Sequence, residues 1–387
     1  MGMIGRWKAS FAEAYTTGDT KWVRISIITI FAQCIVMSVI EVVLIILHNE
    51  EVRNLTAISS TAIGLNKKQF AAARKNAEAV PVYFALYIAA QLFQVYLCLN
   101  ATYNKNTIQV IALAVFNVCL SGYSVVQVFQ RDRAIAAMND IISFATGSPV
   151  QNDGAAVPRS LEFAAIGVAI VFSLGLVYQA YRLYQVYGWS IYKKIGADMH
   201  MRSIYRTYQV FIVFLKVDVY FFIGFSIQYI VLVILPNSAY TDLAVHIVMS
   251  LVASITMLTI AYFSVRREHR IGMIAFLLGC VAMFVYFIIK LYTIHNPAAS
   301  YLSCEPACPD LDVSCRANCV DKFGNSRIVL SMFLVVDCLL DALTAGVAYM
   351  TLRNFGKNLK FHLTKQPSSI GMVNLDGQDP NKRWSIT

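Results

Sequence analysis

The most constraining feature of this 387-residue sequence is a series of long apolar blocks separated by polar stretches. A hydrocarbon core about 30 Å thick is crossed by roughly 20 apolar residues of α-helix, and eight blocks reach that length. The blocks lack the alternation of a strand, and lipid does not tolerate open backbone, so each is predicted to be a helix. The predicted fold class is all-α, a polytopic transmembrane helix bundle of about eight spans, at residues 25–47, 80–99, 108–129, 161–181, 208–235, 243–265, 271–292 and 328–352.

The distribution of charge indicates which partners to expect. Charged residues make up 14% of the chain, against roughly 25% in soluble globular proteins. The net charge is +10, but the Lys and Arg residues flank the apolar blocks and form no continuous basic stripe. The expected partners are therefore the lipid bilayer and its anionic head groups on the cytosolic face, with no nucleic acid.

Orientation is predicted from the Lys and Arg residues beside the spans, which are enriched on the cytosolic side. After residue 181, twelve lie on one side of the membrane and three on the other, so the tail at 353–387 is predicted to be cytosolic. With eight spans, the segment 1–24 is cytosolic as well. The first half opposes this orientation, with five inside and eight outside. If one early span is re-entrant, a seven-span layout with a lumenal N-terminus follows.

A cysteine cluster lies in the loop 293–326, before the last span, at Cys304, Cys308, Cys315 and Cys319. Thiolates at this spacing fit either a structural zinc site or two disulfides. The loop falls on the predicted lumenal side, where oxidising conditions favour disulfides. We therefore predict two disulfide bonds and no metal, in any of three connectivities.

Two further surface features are predicted. Asn54 begins an Asn-x-Thr pattern beyond the first span, which makes it a candidate for lumenal glycosylation. The stretch 178–208 combines aromatic rings with basic side chains, a composition typical of a membrane interface. The same stretch also fits a cytosolic surface for head groups or a protein partner, formed by Arg182, Lys193, Lys194, Arg202 and Arg206.

Four acidic residues inside the spans form a candidate intramembrane polar site: Glu41, Asp218, Asp337 and Asp341. Ionisable groups at depth are costly, so a helix keeps them for a reason. Asp337 and Asp341 lie four residues apart on one helix face, near mid-bilayer. Two carboxylates this close do not both ionise readily in a low dielectric, so at least one is predicted to be protonated at neutral pH. Coupling to protons or cations is one interpretation, and hydrogen bonding between helices is the other.

The sequence contains no catalytic motif that we recognise. The six His residues are scattered without metal-binding spacing, and there is neither a Gly-x-Ser-x-Gly elbow nor a phosphate loop. We expect no catalytic residue, no enzymatic activity and no cofactor. Two functions of different classes remain open: a small-solute or ion transporter, and a non-catalytic membrane scaffold or sorting factor.

One stretch of sequence carries a family resemblance. It consists of Tyr-Lys-Lys-Ile-Gly-Ala-Asp at 192–198, Met-Arg at 201–202, Tyr-Arg-Thr-Tyr-Gln-Val-Phe at 205–211 and the span segment 215–229. By these residues, the cysteine loop and the Lys-Arg-Trp-Ser ending at 382–385, the chain resembles an uncharacterised fungal family of multi-pass Golgi-apparatus membrane proteins. The resemblance implies a location in the Golgi membrane and no known reaction or site residue.

Overall fold

Helices account for all the regular structure in the part of the chain that the computed structural model describes, namely residues 20–61, 65–149, 156–195, 199–234, 246–296, 323 and 326–356. The predicted all-α class is confirmed. Two short π-helical segments, Ile230–Ile234 and Ile247–Val252, occur in the described ranges. The α-helices of the described ranges are α1 (Thr20–Thr61), α2 (Lys67–Glu78), α3 (Val80–Tyr103), α4 (Thr107–Thr146), α5 (Ala156–Ile195), α6 (Met199–Tyr229), α7 (Ala253–Arg267), α8 (Arg270–His295) and α9 (Arg327–Arg353).

Seven helices within the described ranges are long and apolar enough to cross a membrane. They account for every predicted span except 243–265. In that region Ile247–Val252 and α7 together supply 21 residues of helix. Residues 235–245 lie outside the description, so the number of eight spans stays a prediction, as do the cytosolic placement of 1–24 and of the tail.

Several helices extend well beyond the apolar blocks. The helix α1 has 42 residues, and α4 and α5 have 40 each. At 1.5 Å per residue these are about 60 Å long, roughly twice the hydrocarbon thickness. Capping residues set the limits of α4: the Asn106 side chain accepts hydrogen bonds from the first turn, and Gly147 ends the helix with a left-handed φ of 66°. Residues just beyond the apolar blocks therefore belong to the same helices as the spans.

The helices pack as two halves. In the first half α1, α3, α4 and α5 contact one another, and in the second half α6, α7, α8 and α9 do so. The halves meet where α6 packs against α3 and α4. We refer to the end of the bundle with the α3–α4 turn as the Asn104 end. The asymmetry of basic residues predicts that this end faces the cytosol.

Candidate functional site

Three of the four predicted intramembrane acids meet in the second half. Asp218 comes from α6, whereas Asp337 and Asp341 come from α9, which packs against α6. The Thr344 hydroxyl of α9 donates a hydrogen bond of 2.7 Å to Asp218 Oδ2. Asp341 lies within hydrogen-bonding reach of the Cys280 thiol on α8. We refer to Asp218, Asp337 and Asp341 as the carboxylate cluster.

The carboxylate cluster is buried and has few partners. Asp337 is 0% exposed, and neither of its carboxyl oxygens has a hydrogen-bond partner. The second oxygen of Asp218 has none either. No Lys, Arg or His of the described ranges forms an ion pair with these carboxyl groups. Because ionised carboxylates repel in a low dielectric, this arrangement is suited to holding protons or a small cation.

In the described part of the chain, no three His, Cys, Asp or Glu side chains are grouped so that they could hold a metal ion. The cluster also brings together carboxyl groups from only two helices.

A void of about 10 Å³ adjoins the cluster beside Asp218 and Asp341, between α6, α7 and α8. This is about the volume that one water molecule needs. The helices α7 and α8 come close here because Gly279 has no side chain: a Cβ atom there would lie 2.7 Å from the Met257 sulfur. A space about the size of one water thus lies between the cluster and α7.

A much larger cavity, of about 700 Å³, opens at the Asn104 end between α3, α4, α6 and α7. Its central polar group is Lys216, whose Nζ donates hydrogen bonds to Asn100 Oδ1 at 2.7 Å and to Gln109 Oε1 at 3.1 Å. We refer to it as the Lys216 cavity. Leu258 lines both this cavity and the small void. The Lys216 cavity and the space beside the carboxylate cluster therefore share one lining side chain.

Further polar groups lie on the other side of the cluster, toward the end opposite Asn104. His246 Nδ1 is 2.7 Å from the Tyr286 hydroxyl, and Lys290 Nζ donates to the Tyr229 hydroxyl at 3.2 Å. The Lys290 ammonium also lies 4.5 Å from the centre of the Tyr229 ring. On α6, Tyr229 follows Asp218 by 11 residues, or about 16 Å. Ionisable groups therefore occur at three levels of the second half.

Glu41, the fourth predicted acid, is not part of this site. It is buried on α1 in the first half, near Gln127 of α4 and Glu162 of α5. The sequence placed it in the membrane but did not indicate which helices surround it. Its neighbours belong to a different polar group.

That group is a buried ion-pair triad, which the sequence analysis missed. The Arg131 guanidinium donates to Glu51 Oε2 at 2.6 Å and to Glu162 Oε2 at 3.1 Å, and so joins α4 to α1 and α5. All three side chains are at most 4% exposed. Arg131 lies beyond the predicted third span and was therefore counted among the loop charges. The continuation of α4 past residue 129 is the signal that would have revealed it.

An amide network also joins the helices of the first half. Asn117 Nδ2 donates to Gln33 Oε1 and to Gln94 Oε1, each at 2.9 Å, and its Oδ1 accepts a hydrogen bond from Ser173. Ser173 also bonds to the Ser121 hydroxyl at 2.7 Å. These residues come from α1, α3, α4 and α5. The network therefore ties together all four helices of the first half.

Comparison with known proteins gives one clear similarity. A UPF0658 Golgi apparatus membrane protein of Schizosaccharomyces pombe is 27% identical over 301 residues, which cover 73% of this chain and 78% of that protein. The chain is a multi-pass Golgi membrane protein. The predicted resemblance and localisation are confirmed, and the molecular activity is unspecified. No family model matches the sequence, and no solved structure matches it.

The predicted basic surface of this Golgi membrane protein is only partly described. Arg182 lies over the Trp22 ring of α1, 4.7 Å from its centre. Arg202 and Arg206 lie in the first turns of α6, where Arg206 is exposed. Lys193 and Lys194 belong to α5, but their side chains are outside the described part. A common surface formed by these residues stays a prediction.

Two predicted modifications concern the Golgi lumen. Asn54 is exposed, and it lies within α1 rather than in a loop, since α1 continues to Thr61. Its glycosylation stays a prediction. The predicted disulfides fall outside the described residues, since they involve Cys304, Cys308, Cys315 and Cys319.

Proposed function

We propose that this Golgi membrane protein is a proton-coupled transporter of a small solute, with the carboxylate cluster as its proton-binding site. The observation that carries the proposal is Asp337, which is fully buried and has no hydrogen-bond partner on either oxygen. A carboxyl group that only joined helices would be bonded to a neighbouring helix. An ionisable group kept in a membrane without such a partner is typical of proton relays and transport sites.

The position of the cluster between α6 and α9 supplies a means of coupling. Asp218 belongs to α6, which also lines the Lys216 cavity, and Asp341 belongs to α9. A shift of α6 against α9 changes the distance between carboxyl groups, and with it their repulsion and their affinity for protons. Proton binding then favours one arrangement of the helices that surround the cavity.

The polar groups above and below the cluster support transport over scaffolding. The Lys216 cavity lies toward the Asn104 end, the water-sized void lies beside the cluster, and the pair His246 and Lys290 lies toward the opposite end. A transporter needs polar groups at successive depths, whereas a scaffold needs only surfaces. The proposed activity is non-enzymatic, because the only chemical step is the transfer of a proton to and from a carboxyl group.

Reconstituted vesicles test this proposal. The full-length protein is inserted into liposomes that contain a pH-sensitive dye, and small organic anions, amines and metal cations are added one at a time. We expect the wild type to acidify or alkalinise the lumen with at least one solute class. Asp337→Asn and Asp341→Asn should abolish that response, because Asn keeps the volume but cannot bind or release the proton.

Glu78→Gln provides a matched control, since Glu78 is an exposed carboxylate at the end of α2. It should leave the proton response unchanged. Infrared spectra of the wild type in nanodiscs should also show a protonated carboxyl band that Asp337→Asn diminishes. A wild type without solute-dependent proton movement, or Asn variants with full activity, would favour the scaffold.

A further inference from the structure

The Lys216 cavity has the charge of an anion-binding site. Two basic side chains, Lys216 and Arg266, line it, and no carboxylate does so among the described residues. Lys216 bonds to two amide oxygens, which use two of its three donors and hold the ammonium in place. Arg266 is oriented by Tyr262, to whose hydroxyl it donates a hydrogen bond of 3.0 Å. Together the two basic groups favour a ligand with negative charge.

One wall of the cavity is apolar, and the cavity opens toward the outside of the bundle. Val219 and Ile223 of α6 and Leu258 of α7 line its inner part. Two lining residues near the surface, Tyr96 of α3 and Ile255 of α7, are 48% and 47% exposed, on the outside of the bundle. A volume of about 700 Å³ is in the range of small-molecule sites. The cavity therefore combines a basic centre with an apolar body and a lateral opening.

We propose that the Lys216 cavity binds an organic anion with an apolar body, the anionic group on Lys216 and the apolar part against Val219, Ile223 and Leu258. A membrane lipid with a phosphate head group and a soluble amphiphilic anion both have this chemistry. We further infer that this anion is the transported solute, and this step rests on the proposed function.

The location of the cavity supports that step. Leu258 lines both this cavity and the void beside Asp218 and Asp341. An anion that crosses a membrane with a proton carries no net charge, which removes the electrostatic work of moving it against the membrane potential. An anion site beside a proton site is the arrangement that such paired movement requires.

Binding is tested with labelled dodecyl phosphate and the full-length protein in phosphatidylcholine nanodiscs. Lys216→Met keeps most of the side-chain stem, and it should weaken binding about tenfold, as expected for a lost charged hydrogen bond. Arg267→Gln is the matched control, because Arg267 neighbours Arg266 and does not line the cavity. It should change the affinity by less than about twofold.

A second variant keeps the test valid if Lys216→Met folds poorly. Ile255→Trp places a larger side chain at an exposed position of the lateral opening. It should weaken the binding of dodecyl phosphate and leave the melting temperature unchanged. If phosphatidic acid in the nanodisc competes with dodecyl phosphate, the occupant is a bilayer lipid. If phosphatidic acid does not compete, the occupant is a soluble amphiphile. In both cases the anionic amphiphile is supported.

Any of three results would overturn the inference. They are equal affinity of wild type and Lys216→Met for dodecyl phosphate, competition by inorganic phosphate as strong as that by unlabelled dodecyl phosphate, and competition of that strength by dodecyltrimethylammonium. Its failure is distinguishable from that of the proposed function. Binding is measured without a pH gradient, so it does not depend on proton-coupled flux. Binding without solute-dependent proton movement would refute transport and retain the site, whereas proton movement that Lys216→Met leaves unchanged would refute the site as its substrate pocket.

Discussion

Two groups of buried polar side chains, one in each half of the bundle, differ in their hydrogen-bond partners. In the first half, Asn117 is bonded to residues of three other helices, and Arg131 is paired with two carboxylates. In the second half, the carboxylate cluster has a hydroxyl bond to Asp218 and a thiol close to Asp341, and Asp337 has neither. Asn117 and Arg131 thus act as joints between helices of the first half.

This difference distinguishes a structural role from a functional one. A polar group whose partners are complete stabilises one packing arrangement, because any shift of the helices breaks its bonds. A carboxyl group with few partners is held less firmly and responds to protons and to the spacing of its neighbours. We therefore expect polar substitutions to affect stability mainly in the first half and activity mainly in the second.

The largest loss of stability is expected for Arg131→Met, which leaves Glu51 and Glu162 buried without their cation. Breaking a buried ion pair from one side costs about 3–5 kcal/mol. Unfolding by SDS in mixed micelles measures the change in free energy. Arg133→Met is the control, since Arg133 is exposed on the same helix. If the two variants are equally stable, the triad is not a structural joint.

Asn117→Leu should have the next largest effect. It removes the bonds to Gln33, Gln94 and Ser173, and bonds between membrane helices average about 0.6 kcal/mol each, so the loss is about 2 kcal/mol. The same unfolding assay applies. Val118→Leu, at the exposed neighbouring position, should be close to wild type. Equal stability of the two would mean that the amide network does not hold the first half together.

Asp337→Asn should change the free energy of unfolding by less than about 1 kcal/mol, because no hydrogen bond is lost. Asp337→Asn should nevertheless abolish proton-coupled flux. The unfolding assay and the flux assay are both run on the same preparations of Asp337→Asn and Asn117→Leu. A destabilisation as large as that of Asn117→Leu would show that Asp337 is a joint, and would remove the distinction between the halves.

The smallest effect is expected for Arg159→Gln. Arg159 is 64% exposed and its Nη2 lies 3.8 Å from Asp132 Oδ2, an exposed contact worth less than about 0.5 kcal/mol. Unfolding at low and high salt should separate it from the triad, since only exposed pairs are strongly screened. If Arg159→Gln approached the cost of Arg131→Met, burial would not explain the importance of the triad.

The sequence predicted the helical class and the membrane location, because both depend on stretches of consecutive apolar residues. It also predicted that Asp337 and Asp341 share a helix face, which follows from the period of the α-helix. It did not find the Arg131 triad, since a hydropathy window ends at the first charges, whereas the caps at Asn106 and Gly147 let α4 continue. Helix ends depend on capping, which hydropathy does not measure.

The sequence by itself determined where the apolar blocks of the helices lie and that Asp218, Asp337 and Asp341 fall inside them. Only the tertiary structure brought Asp218 to Thr344, 126 residues away, and kept Glu41 apart from them. It also placed the Lys216 ammonium beside Asn100 and Gln109. Asp218, only two residues later on α6, faces α9 instead. The physical reason is that hydrophobicity and helical period are local properties, whereas the choice of facing helices depends on the packing of all the spans together.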